Sequence, residues 1–220
     1  MDDLDLDFGE SARDQPVNVL PVDGEAWDYG VVFERAEATR FLRVFLEEVP
    51  WQHDEAVIYG KHIVTARQVA WYGDENYEYR YSGKTRTAMA WTPELRAIRE
   101  RVEALCGERF NSCLLNLYAD GSQGMAWHHD DEKGLGRNAT IASVSFGARR
   151  AFDFRHKESR EKVRIFLEAG SLLVMRGRTQ SCWQHQVPKA LRVREPRVNL
   201  TFRRMLERET QVGREEGRIF

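Results

Sequence analysis

Apolar positions along this chain change their period about halfway. Ala38, Phe41, Leu42, Phe45, Leu46 and Val49 recur every three or four residues, the spacing of one helix face. A second stripe, Leu95, Ile98, Val102 and Leu105, has clearer ends. Thr92 precedes it as an N-cap, Pro93 suits the first helical position, and Gly107 supplies a stop. From residue 111 the period becomes two. The runs Asn111–Tyr118, Ala139–Phe146, Ala151–Phe154, Val163–Leu167, Ser171–Met175 and Arg197–Phe202 alternate or are rich in β-formers. Gly, Asp, Asn or charged turns separate them. Many short strands without intervening helices point to a sandwich or barrel, of which the jelly roll is one form. Both helical stripes lack polar groups and read as scaffold.

Composition narrows this without redirecting it. The 220 residues are 42% hydrophobic and 11% aromatic, enough for one domain with a core that needs no staple. The expected organisation is an acidic, disordered tail over 1–16, one catalytic domain over 17–205 and a charged tail over 206–220. No run reaches the length of a membrane span, and the acidic start lacks a basic-then-apolar leader. Cys106, Cys113 and Cys182 form no CxxC pair and read as reduced thiols. A cytosolic monomer is therefore expected. The net charge of −2 does not advertise a nucleic-acid partner, but its distribution is uneven. Residues 1–14 carry six acids against one arginine, whereas residues 149–164 carry seven Lys or Arg against three acids.

Candidate chemistry enters at His128-x-Asp130, which the overlapping pair His129-x-Asp131 follows; His185 lies 55 residues after Asp130. On a strand, residues two apart face the same side, so either pair could present both groups to one metal. Two histidines and a carboxylate occupying one face of an octahedral ion, with open positions left over, mark non-haem Fe(II) oxygenases. Alternation in the last run sets Val198, Leu200 and Phe202 against Arg197, Asn199, Thr201 and Arg203. That polar face is either solvated or the wall of a ligand-holding interior. Asn116 and Tyr118, also two apart on a strand, favour the interior. Arginines bind carboxylates with fixed geometry, so a dicarboxylate is the natural guest.

Taken together, Asn116-Leu117-Tyr118, His128-x-Asp130-x-Glu132, Ile141–Gly147, His185 and Arg197-x-Asn199-x-Thr201-Phe202-Arg203 closely resemble the AlkB family. These are Fe(II)/2-oxoglutarate-dependent dioxygenases that dealkylate nucleic acids. The likeness spans roughly residues 55–205, and Ser143–Gly147 with Phe154–Lys157 looks most like the duplex-preferring branch. It implies an α+β fold, with a double-stranded β-helix (jelly-roll) core over 111–205, flanking N-terminal helices and a nucleotide-recognition lid over about 50–90. It implies His128, Asp130 and His185 as metal ligands. It also implies Asn116, Tyr118, Arg197, Asn199, Thr201 and Arg203 as the 2-oxoglutarate pocket, and O2 as co-substrate.

The same resemblance suggests how a target is presented. A base must leave the stack to reach a buried iron, and methylation of its Watson–Crick edge makes that easier. Tyr79 and Tyr81 match stacking positions opposite His185, in a segment that could equally be core or a strand. Glu132 would read an exocyclic amino group, with Asp131 and Arg67 assigned beside it. Tyr59 matches an aromatic wedge, though an ordinary strand tyrosine fits as well. Arg149, Arg150, Arg155, His156, Lys157, Arg160 and Lys162 would meet phosphates of alkylated DNA. The implied reaction is demethylation of bases such as 1-methyladenine and 3-methylcytosine, with release of formaldehyde. It would take place in a bacterial-type cytosol or a eukaryotic nucleus. The same chemistry on RNA, nucleotide or protein, and a non-catalytic jelly-roll module, are the alternatives.

Overall fold

A computed structural model of the chain describes residues 15–58, 61–74, 78–81, 84–130 and 133–206. Its first half contains β1 (Val17–Asn18), β2 (Glu25–Val31), α1 (Arg35–Glu48), β3 (Gln52–Ile58) and β4 (Lys61–Gly73). Then come β5 (Glu78–Tyr81), β6 (Lys84–Thr87), β7 (Met89–Ala90) and α2 (Pro93–Cys106). The second half contains β8 (Ser112–Tyr118), β9 (Met125–His128), β10 (Ile141–Gly147), β11 (Arg150–His156) and β12 (Lys162–Leu167). It ends with β13 (Ser171–Arg176), the short helix α3 (Thr179–Cys182), β14 (Trp183–Val187) and β15 (Arg197–Arg203).

From β8 onward the chain crosses back and forth between two sheets, which is the jelly roll. The large sheet runs β1-β2-β13-β10-β15-β8-β4-β3, with β7 added on β4; the small sheet runs β12-β11-β14-β9. A separate hairpin, β5–β6, falls in the aromatic-rich segment. The sequence pattern anticipated six of the core strands but neither β9 nor β14, nor the N-terminal strands that widen the large sheet.

Both helices lie where their stripes predict, with differences at the edges. Thr92 Oγ1 accepts from the Leu95 N–H at 3.2 Å, and Gly107 closes α2 at φ 72°. The buried face of α2 is Leu95, Ile98, Val102 and Cys106. Leu105, one residue from Cys106 and so about 100° round the helix, is exposed instead, as is Leu46 on α1.

Phe41 and Phe45 of α1 pack on Phe146 of β10, in one cluster with Val198, Leu200 and Phe202 of β15. Helices thus cover one face of the large sheet, and the other face looks toward the small sheet. All seven residues of β15 are buried, so its polar face is interior and not solvated. A one-residue slip would carry Val198, Leu200 and Phe202 into that polar interior. Each such side chain contributes roughly 1.5–3 kcal/mol by burial, so the register that turns the polar set inward is strongly held. Gly147 helps to fix it. At φ 90° it sits against the chain entering β15, where a Cβ would collide with the Pro196 carbonyl oxygen.

Candidate metal centre and co-substrate pocket

β9 and β14 pair antiparallel with His128 directly across from His185, their ring centres 4.2 Å apart. Strand pairing, not sequence proximity, therefore unites the two imidazoles. Asp130 follows just past the end of β9. Its Oδ1 lies 4.0 Å from His128 Nε2 and its Oδ2 3.8 Å from His185 Nε2. One donor atom from each of the three lies within 4.8 Å of the others, a spacing that one ion can bridge.

Neighbours set ring orientation and charge. His128 Nδ1 donates to the Ala126 carbonyl at 2.8 Å, which leaves Nε2 as the free lone pair. Phe152 stacks on His185, with ring centres 5.3 Å apart and planes 18° apart. Burial pushes His185 down to about 3, the nearby His128 adding to the effect, and lowers His128 as well. Both imidazoles are thus neutral at pH 7, the form that binds metal. Burial alone would raise Asp130, but the opposing charges around it, the Arg203 guanidinium foremost, hold the carboxyl below its ordinary range. The three donors fit a divalent ion of the kind held by two imidazoles and a carboxylate.

A cavity of about 340 Å³ opens between the sheets, with the triad on its wall. Asn116, Tyr118, Asn199, Thr201 and Arg203 line it. The register explains their meeting: Asn116 pairs with Asn199, and Tyr118 with Arg197. On the other side of β15, Ser145 pairs with Asn199 and Ser143 with Thr201. Asn199 Nδ2 donates to Ser143 Oγ and to the Val144 carbonyl, both at 2.9 Å. Arg197, 1% exposed, donates from Nη2 to Ser145 Oγ at 2.9 Å. It stands beside Tyr118, its guanidinium carbon 5.4 Å from the ring centre, and is not itself on the cavity wall.

Burial lowers Arg197 to about 10, so it is still charged at pH 7. Its Nε and Nη1, and Asn116 Oδ1, have no hydrogen-bond partner among the described residues. A buried cation with unmet donors is costly unless an anion joins it. On the cavity wall itself, Arg203 with Asn199, Thr201 and Tyr118 supplies the charge and polar groups that fit a carboxylate guest. Ser143 and Ser145, which hold Asn199 and Arg197, had no role assigned from the sequence. The available signal was two hydroxyls spaced by two within an apolar strand.

Comparison with known proteins agrees with this geometry. The model of the 2OG-Fe(II) oxygenase superfamily matches residues 29–203. The chain belongs to that superfamily. The mouse DNA oxidative demethylase ALKBH2 is 42% identical over 198 residues, 85% of this chain and 83% of its own. The human alpha-ketoglutarate-dependent dioxygenase alkB homolog 3 is 42% identical over 180 residues, 76% of this chain and 61% of its own. Within the superfamily the chain is thus an AlkB-family member and an Fe(II)/2-oxoglutarate-dependent dioxygenase that uses O2. The solved structure of OsALKBH1 shares the fold at a TM-score of 0.54 and 14% identity, covering 78% of this chain and 94% of that one.

Around the centre of this AlkB-family oxygenase the remaining candidates divide. Arg67 lines the cavity, with Nη1 3.0 Å from Met125 Sδ. Tyr79 and Tyr81 lie on β5, paired with Arg86 and Lys84. Tyr59, Asp131 and Glu132 fall outside the described residues.

The basic stretch is not one surface. Arg150 and His156 are corrections to the expected phosphate contacts. Arg150 is 2% exposed and donates to the carbonyls of Asp120 (3.3 Å), Gln123 (2.8 Å) and Pro188 (2.8 Å). His156 is buried against Trp183, its Nδ1 accepting from the Ser159 N–H. The reason is strand alternation. Arg150, Phe152, Phe154 and His156 share the buried side of β11, and a charge count does not register that. Arg149 pairs with Glu168 and covers Phe166; Arg155 lies over Trp127, 4.3 Å from its ring centre. Lys157 Nζ donates to the Gln180 carbonyl at 3.0 Å, while Arg160 and Lys162 are exposed.

Proposed function

We propose that this protein demethylates N-alkylated bases in DNA, 1-methyladenine and 3-methylcytosine among them. 2-Oxoglutarate and O2 are converted to succinate and CO2, and formaldehyde is released. The observation that carries the reading is the convergence of His128, Asp130 and His185 on a cavity bordered by Arg203 and Asn199. The choice of DNA is supported by relatives named DNA oxidative demethylase, which match over most of their length.

His128, Asp130 and His185 hold Fe(II), and Arg197, Asn199, Asn116, Tyr118, Thr201 and Arg203 hold 2-oxoglutarate. When bound, the iron supplies O2 activation and oxidation of the target C–H bond. The protein's part is positional. Arg197 anchors the far carboxylate, Arg203 keeps Asp130 anionic, and the covering sheets keep water from the reacting carbon. Tyr79, Tyr81, Tyr59, Arg67, Asp131 and Glu132 receive and read the flipped base. Arg149, Arg155, Lys157, Arg160 and Lys162 serve the backbone. The protein works as a monomer beside the chromosome, in the cytosol of a bacterial-type cell or a eukaryotic nucleus.

The test is incubation with Fe(II), 2-oxoglutarate and a 1-methyladenine oligonucleotide, single- or double-stranded, with the oligonucleotide mass read before and after. Loss of one methyl group by the wild type, and not by Asp130→Ala, is expected. Succinate formation with the oligonucleotide intact would move the substrate elsewhere.

A further inference from the structure

Asp130 presents an accounting problem. β9 ends at His128, so the Asp130 N–H has no ladder partner, and the residue is only 8% exposed. A buried N–H left unmade costs about 1–3 kcal/mol. Gln180 resolves this from fifty residues away: its Oε1 accepts the Asp130 N–H at 2.9 Å. Gln180 is itself 5% exposed, and its Nε2 points to Met175 Sδ at 3.6 Å.

The turn that carries Gln180 is held from three directions. Thr179 Oγ1 accepts the Glu25 N–H at 2.8 Å and donates to the Arg176 carbonyl at 2.7 Å. Lys157 grips the Gln180 carbonyl with its ammonium, and the Lys157 N–H donates to the Cys182 carbonyl at 2.8 Å. The same turn leads directly into β14, which delivers His185 three residues after Cys182. One rigid element therefore sets the third imidazole and grips the backbone of the carboxylate donor.

We propose that Gln180 is a positioning residue for the metal centre, fixing Asp130 relative to His185 through this one hydrogen bond. The inference rests on reading His128, Asp130 and His185 as the ligands. Its physical content is pre-organisation. Without the carboxamide oxygen, the chain after β9 loses its tie to α3, and the carboxylate must be ordered when the metal binds. Outer partners of this kind govern ligand orientation and metal affinity.

Anaerobic titration of metal-free protein with Co(II), read by the visible d–d spectrum, tests the proposal. Wild type, Asp130→Ala, Gln180→Leu and Gln180→Asn would be compared, each with the unfolding midpoint of its metal-free form. Leucine is similar in size and lacks the acceptor; asparagine keeps the amide but falls short by one methylene. Both Gln180 variants should bind Co(II) about 10- to 100-fold more weakly and with shifted bands. The measurement is made well below their unfolding midpoints, so lost stability alone would not move the bands. If Gln180→Leu does not fold, Gln180→Asn carries the comparison. Affinity within about threefold of wild type and an unmoved spectrum would overturn the proposal, since outer-partner losses are larger. A wild type that binds no more Co(II) than Asp130→Ala would instead remove the metal-site reading, and this inference with it.

Discussion

Arg203 Nη2 stands 3.1 Å from Asp130 Oδ1, an ion pair joining the last strand of the large sheet to the chain leaving the small one. Both partners are about nine-tenths buried. Burial opposes the ionised carboxyl, and Arg203 is the largest of the charges that overcome it. Arg203→Met should therefore let Asp130 take up its proton at higher pH, so that Co(II) or Mn(II) binding is lost earlier as the pH is lowered. Anaerobic titration over a pH series checks this; an unmoved pH profile would confine Arg203 to the 2-oxoglutarate pocket.

Arg197 is a different arginine, paired to a hydroxyl and lacking an anion among the described residues. Arg197→Lys keeps charge but loses the planar fork, so it is not a conservative change. The KM for 2-oxoglutarate should rise by roughly 10- to 100-fold, with kcat affected less. Steady-state kinetics at saturating oligonucleotide measure both. A KM that stays put would mean the far carboxylate is anchored elsewhere.

Stability of the metal-free protein should fall with acid in a defined window. His185 has a folded value of about 3 against an ordinary 6.5. As pH falls through 6.5 the unfolded chain takes up the proton while the folded protein resists it, so stability is complete above that value and lost progressively down to about 3. The slope is about 1.4 kcal/mol per pH unit for one such group, and His128, lowered in the same sense, adds to it. Asp130 acts in the same direction only in the carboxylate range below. Urea unfolding across this window should show the slope, and His185→Phe should flatten it. Equal slopes would place the His185 imidazole in contact with water.

Buried and exposed members of the basic stretch should separate cleanly. Arg160→Ala and Lys162→Ala should each reduce the salt slope of DNA binding by about 1, with stability within about 0.5 kcal/mol of wild type. Arg150→Ala should leave the slope alone and cost roughly 2–3 kcal/mol, because three loop carbonyls lose a charged donor. Binding measured over a salt series, with unfolding curves alongside, distinguishes the two classes. A reduced slope for Arg150→Ala would return it to the phosphate face.

Much of the site was legible along the chain, for identifiable reasons. The period-two face Arg197, Asn199, Thr201 and Arg203 can be read directly, since alternation is a local property of a strand. Thr92, Pro93 and Gly107 marked α2 because capping is local too. β9 and β14 escaped notice because each is short and carries polar site residues in place of an apolar alternation. β4 escaped notice for a different reason: its apolar residues fall in runs, Ile63-Val64 and Val69–Tyr72, and not in alternation, and its place in the sheet comes from pairing with β8.

By itself, then, the sequence determined the chemistry available: which donors exist, which alternate, and which strand face is polar. Only the tertiary structure decided which of them meet. It paired His128 with His185 across two strands and turned Arg150 and His156 inward. It also brought Gln180 to the Asp130 backbone. Spacing along a chain encodes neighbours within one element, whereas contacts between elements depend on strand order and register, which are settled by burial of the whole apolar layer at once.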